Sequence, residues 1–169
     1  GPDALKRFVR AAHDRGLAVF VDVVHNHYGP TDLDLWQFDG ASWNGFGGIY
    51  FYNDDRAHTP WGSTRPDFGR PEVRQYVRDQ VFMFADEYRV DGFRWDSVFH
   101  IVSFSEQNPA PNPEGIQMLR EINAELAQTH PRLVRIAEDH AFDHDMAFDA
   151  QWDIGYRWAV FHPVADAWD

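Results

Sequence analysis

No cysteine occurs in the 169 residues, which excludes disulfides and thiol catalysis. Basic residues are scarce: 15 Lys and Arg stand against 27 Asp and Glu, a formal charge of -12. No Lys/Arg cluster offsets that charge locally, so nucleic acid and membrane surfaces are poor partners and a neutral substrate fits better. No N-terminal apolar stretch reaches the length of a signal or a membrane span, and a cytoplasmic location is the default expectation. No linker or low-complexity segment divides the chain, so one domain is expected. The first residue is Gly1 rather than Met, directly before a helix signal, and the chain is expected to be part of a longer protein. Apolar residues are plentiful at 44%, with 14 Phe and 7 Trp, which is ample for a globular core.

The apolar pattern reads as repeated helix and strand units. Pro2 suits a first helical position, Leu5, Phe8, Val9 and Ala12 recur at helical spacing, and Gly16 gives a left-handed stop. Residues 17–24 then form a nearly unbroken apolar run, the mark of a strand covered on both faces. Pro71 opens a second helix, with Val73, Tyr76, Val77, Val81, Phe84 and Tyr88 on one face, leading into a strand over 90–96. Pro113 opens a third, with Ile116, Leu119, Ile122 and Leu126, leading into a strand over 133–138. A further strand is expected over 148–152 and a helix from about Gly155. Such connections imply right-handed parallel crossovers and an α/β class.

Residues 25–70 are far longer than a usual strand-to-helix connection of roughly 2 to 6 residues, and long loops of this kind are commonly functional. They carry Tyr28, Trp36, Phe38, Trp43, Phe46, Tyr50, Phe51, Tyr52, Trp61 and Phe68, interleaved with glycines. The rings can stack on the apolar faces of sugars or can form the loop's own small core. The NPAPNP segment at 108–113 is a stiff loop beyond a strand's C-terminal end.

Three acidic clusters close three of the predicted strands: DVVHNH at 22–27, GFRWD at 92–96 and AED at 137–139. Asp22, Asp96 and Glu138 therefore emerge together at the C-terminal end of a parallel sheet, where an α/β barrel keeps its active site. Along the GFRWD strand, Gly92, Arg94 and Asp96 share one face and Phe93 and Trp95 the other. Arg94 beside Asp96 favours the ionised carboxylate that nucleophilic attack on a sugar carbon requires. Repulsion from that charge is expected to keep Glu138 protonated, as a general acid must be. A buried ion pair and a helix cap are the structural alternatives for either acid alone. Asp22 can orient Arg94, touch substrate or bond the strand-end backbone.

The histidines have their own alternatives. His25 and His27 do not supply a closed tetrahedral set, so zinc is not expected, and an HNH nuclease signature is rejected because its histidines are more widely spread and the chain is acidic. The EDHAFDHD stretch at 138–145 can attract a cation or form a solvated loop, and it reads as the loop. His100 can hydrogen-bond a substrate hydroxyl or satisfy a loop carbonyl.

The order DVVHNH, GFRWD, AED resembles the α-amylase superfamily, glycoside hydrolase family 13, in three of its four characteristic regions. The resemblance implies that Asp96 is the catalytic nucleophile, Glu138 the acid/base and Arg94 the support of the nucleophile. It implies substrate contacts for Asp22, Asn26, His27 and His100, with calcium at the asparagine in some members. Here no metal and no cofactor are expected. Phe99 stands where many amylases carry lysine, which departs from a usual amylase acceptor site. HTPWG at 58–62, FGRPEVRQYVRDQ at 68–80 and EYRVDGFRWD at 87–96 look most like 1,4-α-glucan branching enzymes, and trehalose-releasing hydrolases share part of the pattern.

By this resemblance residues 1–169 are part of a single catalytic barrel, a partial TIM (β/α)8 barrel running from about strand 3 to strand 6, with 25–70 as a substrate-facing loop. The first two strands and the fourth region's third carboxylate have no counterpart. A half barrel leaves open sheet edges, so the isolated chain is expected to be marginal and to lack turnover. The implied function is a retaining glycosyltransferase that cleaves α-1,4 linkages and forms α-1,6 branches in glycogen, starch or maltooligosaccharide. Two alternatives stay open: an α-glucan hydrolase of the amylase or maltooligosyl trehalose trehalohydrolase type, and a glucan-binding fragment without catalysis.

Overall fold

The computed structural model describes residues 1–29, 35–40, 44–105, 110–139 and 145–152. Among these residues four strands, β1 (Phe20–Val23), β2 (Gly92–Trp95), β3 (Val134–Ala137) and β4 (Ala150–Gln151), form one parallel sheet in the order β1-β2-β3-β4. The helices are α1 (Pro2–His13), α2 (Pro71–Met83), a short α3 (Phe99–Val102) and α4 (Pro113–Thr129). The α/β reading with parallel crossovers therefore holds. Proline opens α1, α2 and α4 because its missing N–H costs nothing in a first turn. Asn112 caps α4 by accepting from the Gly115 N–H at 3.3 Å. Each strand is shorter than its apolar run, although ladder hydrogen bonds continue into the flanking residues, with the Asp91 N–H donating to the Val19 carbonyl at 2.8 Å.

β2 is the axis of the core. Phe93 and Trp95 are fully buried against Val77 and Val81 of α2 and Leu119, Ile122 and Leu126 of α4, while Arg94 projects to the opposite face as period-two alternation requires. Gly92 is needed there: a Cβ would meet the Phe20 ring and stand 2.6 Å from the Val134 carbonyl. Gly115 allows α4 to approach the Ile101 carbonyl just as closely.

One expectation is corrected. The β1 run is predicted to be covered on both faces, yet Leu17 and Phe20 are 59% and 44% exposed, because among the described residues β1 is an edge strand with only β2 beside it. The second helix reaches Tyr88 as its spacing predicts, but its last five residues, Phe84–Tyr88, widen into π geometry before Arg89 ends it in the left-handed region, φ 56°. The predicted helix from Gly155 lies outside the described residues.

The described part of the 25–70 loop folds largely onto itself. Phe51, Tyr52 and Phe68 are buried, Tyr28 meets both Phe51 and Tyr76 edge-on, and Trp36 tilts against Phe51. Trp61, by contrast, is 47% exposed. Trp43 lies outside the described residues. No helix among the described residues is long and apolar enough to cross a membrane.

Candidate active site

The sheet register sets the site. Asp22 pairs with Arg94 across β1 and β2, and Arg94 with Ile136 across β2 and β3. The ladder runs one residue further, with Asp96 N–H donating to the Val23 carbonyl at 2.9 Å and Glu138 N–H to the Trp95 carbonyl at 3.0 Å. Asp96 and Glu138 thus leave neighbouring strands at the same level.

One guanidinium gathers all three acids. Arg94 Nη1 donates to both Asp22 oxygens at 2.8 and 2.9 Å and to Asp96 Oδ1 at 2.5 Å, while Nη2 lies 2.7 Å from Glu138 Oε2. The Arg94 side chain is only 16% exposed, with Asp96 at 23% and Glu138 at 25%, so these contacts are weakly screened. Asp22 is in contact with Arg94, the contact that the first of its three sequence alternatives requires. The sequence reading set Glu138 against Asp96 alone; here a shared cation offsets their repulsion.

Further groups fix Asp96. The buried Asn26 side chain turns back from the end of β1 and donates to the Asp96 carbonyl at 2.7 Å and to its Oδ2 at 2.9 Å. His27 Nδ1 meets Asn26 Oδ1 at 2.5 Å, and burial holds the His27 pKa below its ordinary value, opposed by Asp96. His100 Nδ1 is taken by the Ser97 hydroxyl at 2.6 Å, a partner neither sequence alternative named. Asp22, Asn26, His27, Arg94, Asp96, His100 and Glu138 are therefore brought together by direct contact or through one intervening side chain.

Three participants went unassigned in the sequence. Ser97, directly after Asp96, has φ 42°, and this left-handed kink lets its N–H donate to Glu138 Oε2 at 2.9 Å. Trp61 stacks on His27 with ring centres 4.4 Å apart and an angle of 9°, and meets His100 edge-on at 5.0 Å. The Arg94 guanidinium lies over the Trp152 ring at 4.5 Å, a cation–π contact that closes the cluster on the β4 side. Trp61 is one of the loop rings and lies in the HTPWG motif, and Trp152 closes the strand predicted over 148–152.

His25 is buried beside this site with its Nδ1 3.1 Å from the Tyr28 hydroxyl. Burial pushes its pKa down to about 4 from 6.5. Between these values the unfolded chain binds the proton that the folded chain refuses, so stability is full above about pH 6.5 and falls as pH drops towards 4. A loss of about 3 kcal/mol is expected over that window. Urea unfolding at pH 7.5 and pH 4.5 measures it, and His25→Gln is expected to flatten the difference.

Among the described residues no group of three or more His, Asp or Glu side chains is placed to hold a metal ion. Most of the EDHAFDHD stretch lies outside the described residues, as does part of NPAPNP.

No family model matches the chain. It is 28% identical to the 1,4-alpha-glucan branching enzyme GlgB of Bacillus subtilis over 167 residues, covering 92% of the chain and 26% of that enzyme. It is 32% identical over 178 residues to the branching enzyme GlgB of Myxococcus xanthus, covering 92% of the chain and 23% of that enzyme. Among solved structures, a provisionally named alpha amylase of Salmonella typhimurium matches with a TM-score of 0.67 and 26% identity, over 94% of the chain and 26% of that structure. An Anoxybacillus alpha-amylase matches in fold, with a TM-score of 0.68 at 19% identity over 98% of the chain and 38% of that structure. The chain thus spans about a quarter of the length of the curated relatives it matches. The resemblance to the α-amylase superfamily read from three motifs is shown over nearly the whole chain, with branching enzymes among the relatives.

Proposed function

We propose that the chain forms the central part, about strand 3 to strand 6, of a (β/α)8 barrel in a retaining α-glucan enzyme of the branching type. The observation that carries this reading is the Arg94 guanidinium holding Asp22, Asp96 and Glu138 at the ends of three adjacent parallel strands. A structural ion pair needs one acid; three acids on one cation, at the end of the sheet where α/β folds bind ligands, suit a site in which substrate takes over some of those contacts.

In the proposed reaction Asp96 Oδ attacks the anomeric carbon of an α-1,4-linked glucose as the bond to the departing oxygen breaks, and Glu138 gives that oxygen its proton. The product is a glycosyl ester on Asp96 with Glu138 ionised. An acceptor hydroxyl then passes its proton to Glu138 and attacks the same carbon, which frees Asp96 and retains the configuration. Arg94 and Asn26 hold Asp96 in line, and Glu138 has to part from Arg94 before it can serve as acid. His27 and His100 line the sugar side.

A 6-hydroxyl acceptor yields an α-1,6 branch, and water yields hydrolysis. Incubating the full-length protein with amylose and analysing linkages separates the two: new α-1,6 linkages without a matching rise in reducing ends are expected. Reducing ends without branches would replace the transferase reading with the hydrolase one.

A further inference from the structure

Arg65 is 1% exposed, and no carboxylate among the described residues pairs with it. Its charge is met by backbone carbonyls from two separate segments. Nε donates to the Arg56 carbonyl at 2.8 Å and Nη2 to the His58 carbonyl at 2.8 Å. On the other side Nη1 donates to the His100 carbonyl and to the Ser103 carbonyl at 2.9 Å, and Nη2 reaches the Phe104 carbonyl at 3.4 Å. Only a guanidinium offers five N–H groups in a planar fork. Burial lowers its pKa to about 10, which leaves it protonated at neutral pH.

The two segments it joins frame the carboxylates. Residues 56–58 lead into the turn 59–62, closed by Thr59 N–H to the Gly62 carbonyl at 2.8 Å and Gly62 N–H to the Thr59 carbonyl at 3.1 Å. That turn presents Trp61, whose ring lies on His27 and against His100. Residues 100–104 lie a short way beyond β2, which carries Arg94 and leads into Asp96.

We propose that Arg65 is a positioning residue of the site: its guanidinium pins the 59–62 turn to the segment after β2 and so holds the Trp61 ring in register with His27 and His100. The chemistry of Asp96 and Glu138 does not pass through it. Its effect falls on how firmly the exposed face of Trp61 is presented beside them.

The test is fluorine NMR of the chain labelled with 5-fluorotryptophan, which gives one line for each of the 7 tryptophans; Trp61→Phe identifies the Trp61 line. In Arg65→Met the Trp61 line is expected to shift towards the free-fluorotryptophan position while the line from buried Trp95 stays. Arg65→Lys, which keeps the charge but not the fork, is expected to lie between. An unmoved Trp61 line in either folded variant overturns the proposal, and so does collapse of every line in both variants, which would mark Arg65 as a general fold determinant. The kinetic readout alone rests on the function proposed above: in the full-length protein Arg65→Lys is expected to raise KM for amylose by roughly fivefold, the effect of about 1 kcal/mol of binding, with kcat little changed. A full-length protein without glucan turnover would overturn that function and leave the NMR result to stand or fall on its own.

Discussion

Asp96→Asn in the full-length protein is expected to reduce turnover of amylose by at least about a thousandfold, the scale on which loss of a covalent nucleophile is felt. The substitution is close to isosteric. Asn26 can still donate to an amide oxygen at position 96 and to the backbone carbonyl, and Arg94, which loses its contact to the amide NH2, keeps those to Asp22 and Glu138. The fold is therefore expected to survive, and a thermal unfolding curve within a few degrees of the unsubstituted protein checks it. An amide oxygen is too weak a nucleophile to open a glycosidic bond, so the loss should appear in kcat, with glucan binding largely kept.

Arg94→Met is expected to produce the largest loss of stability at the site. Removing this cation leaves Asp96 and Glu138, both about three-quarters buried at their side chains, without their shared countercharge, and the neutral Asn26 and Ser97 N–H donors offset that loss only in part. Stripping one partner from a buried pair costs about 3–5 kcal/mol; Asp22 is 59% exposed and adds little because water screens it. Allowing for partial exposure of the other two, about 2–4 kcal/mol is expected in urea unfolding of the chain near pH 7. Unchanged stability near pH 7 would mean that the three contacts to Arg94 carry no net weight.

Much of this arrangement was legible in the sequence because it is local. The alternation in GFRWD puts Arg94 and Asp96 on one face and Phe93 and Trp95 on the other through pleat geometry alone, and the apolar runs ending in acids mark strand ends whatever packs around them. The contacts that cross between elements were not legible. Asn26 reaching back to Asp96, Trp61 lying on His27, and Arg65 tying 56–58 to 100–104 depend on how residues 25–70 fold over the sheet, and a loop rich in rings has no period from which its contacts can be read. The left-handed kink at Ser97 was equally hidden, because serine carries no glycine-like mark of positive φ. The exposed flank of β1 shows the converse: residues 17–24 are apolar enough to be covered on both faces, and how much of that surface is covered depends on neighbours that the run itself does not record.

The central claim is that Asp96 is the carboxylate that takes the sugar. The most direct measurement is peptide mapping by mass spectrometry after the full-length protein is incubated with a fluorinated α-glucosyl fluoride, whose glycosyl-enzyme breaks down slowly. The account predicts a single hexosyl adduct on the peptide containing Gly92–Trp95 and Asp96, located at Asp96 and absent from Asp96→Asn. An adduct at Glu138 or Asp22, or turnover with retained configuration and no adduct at Asp96, would contradict it.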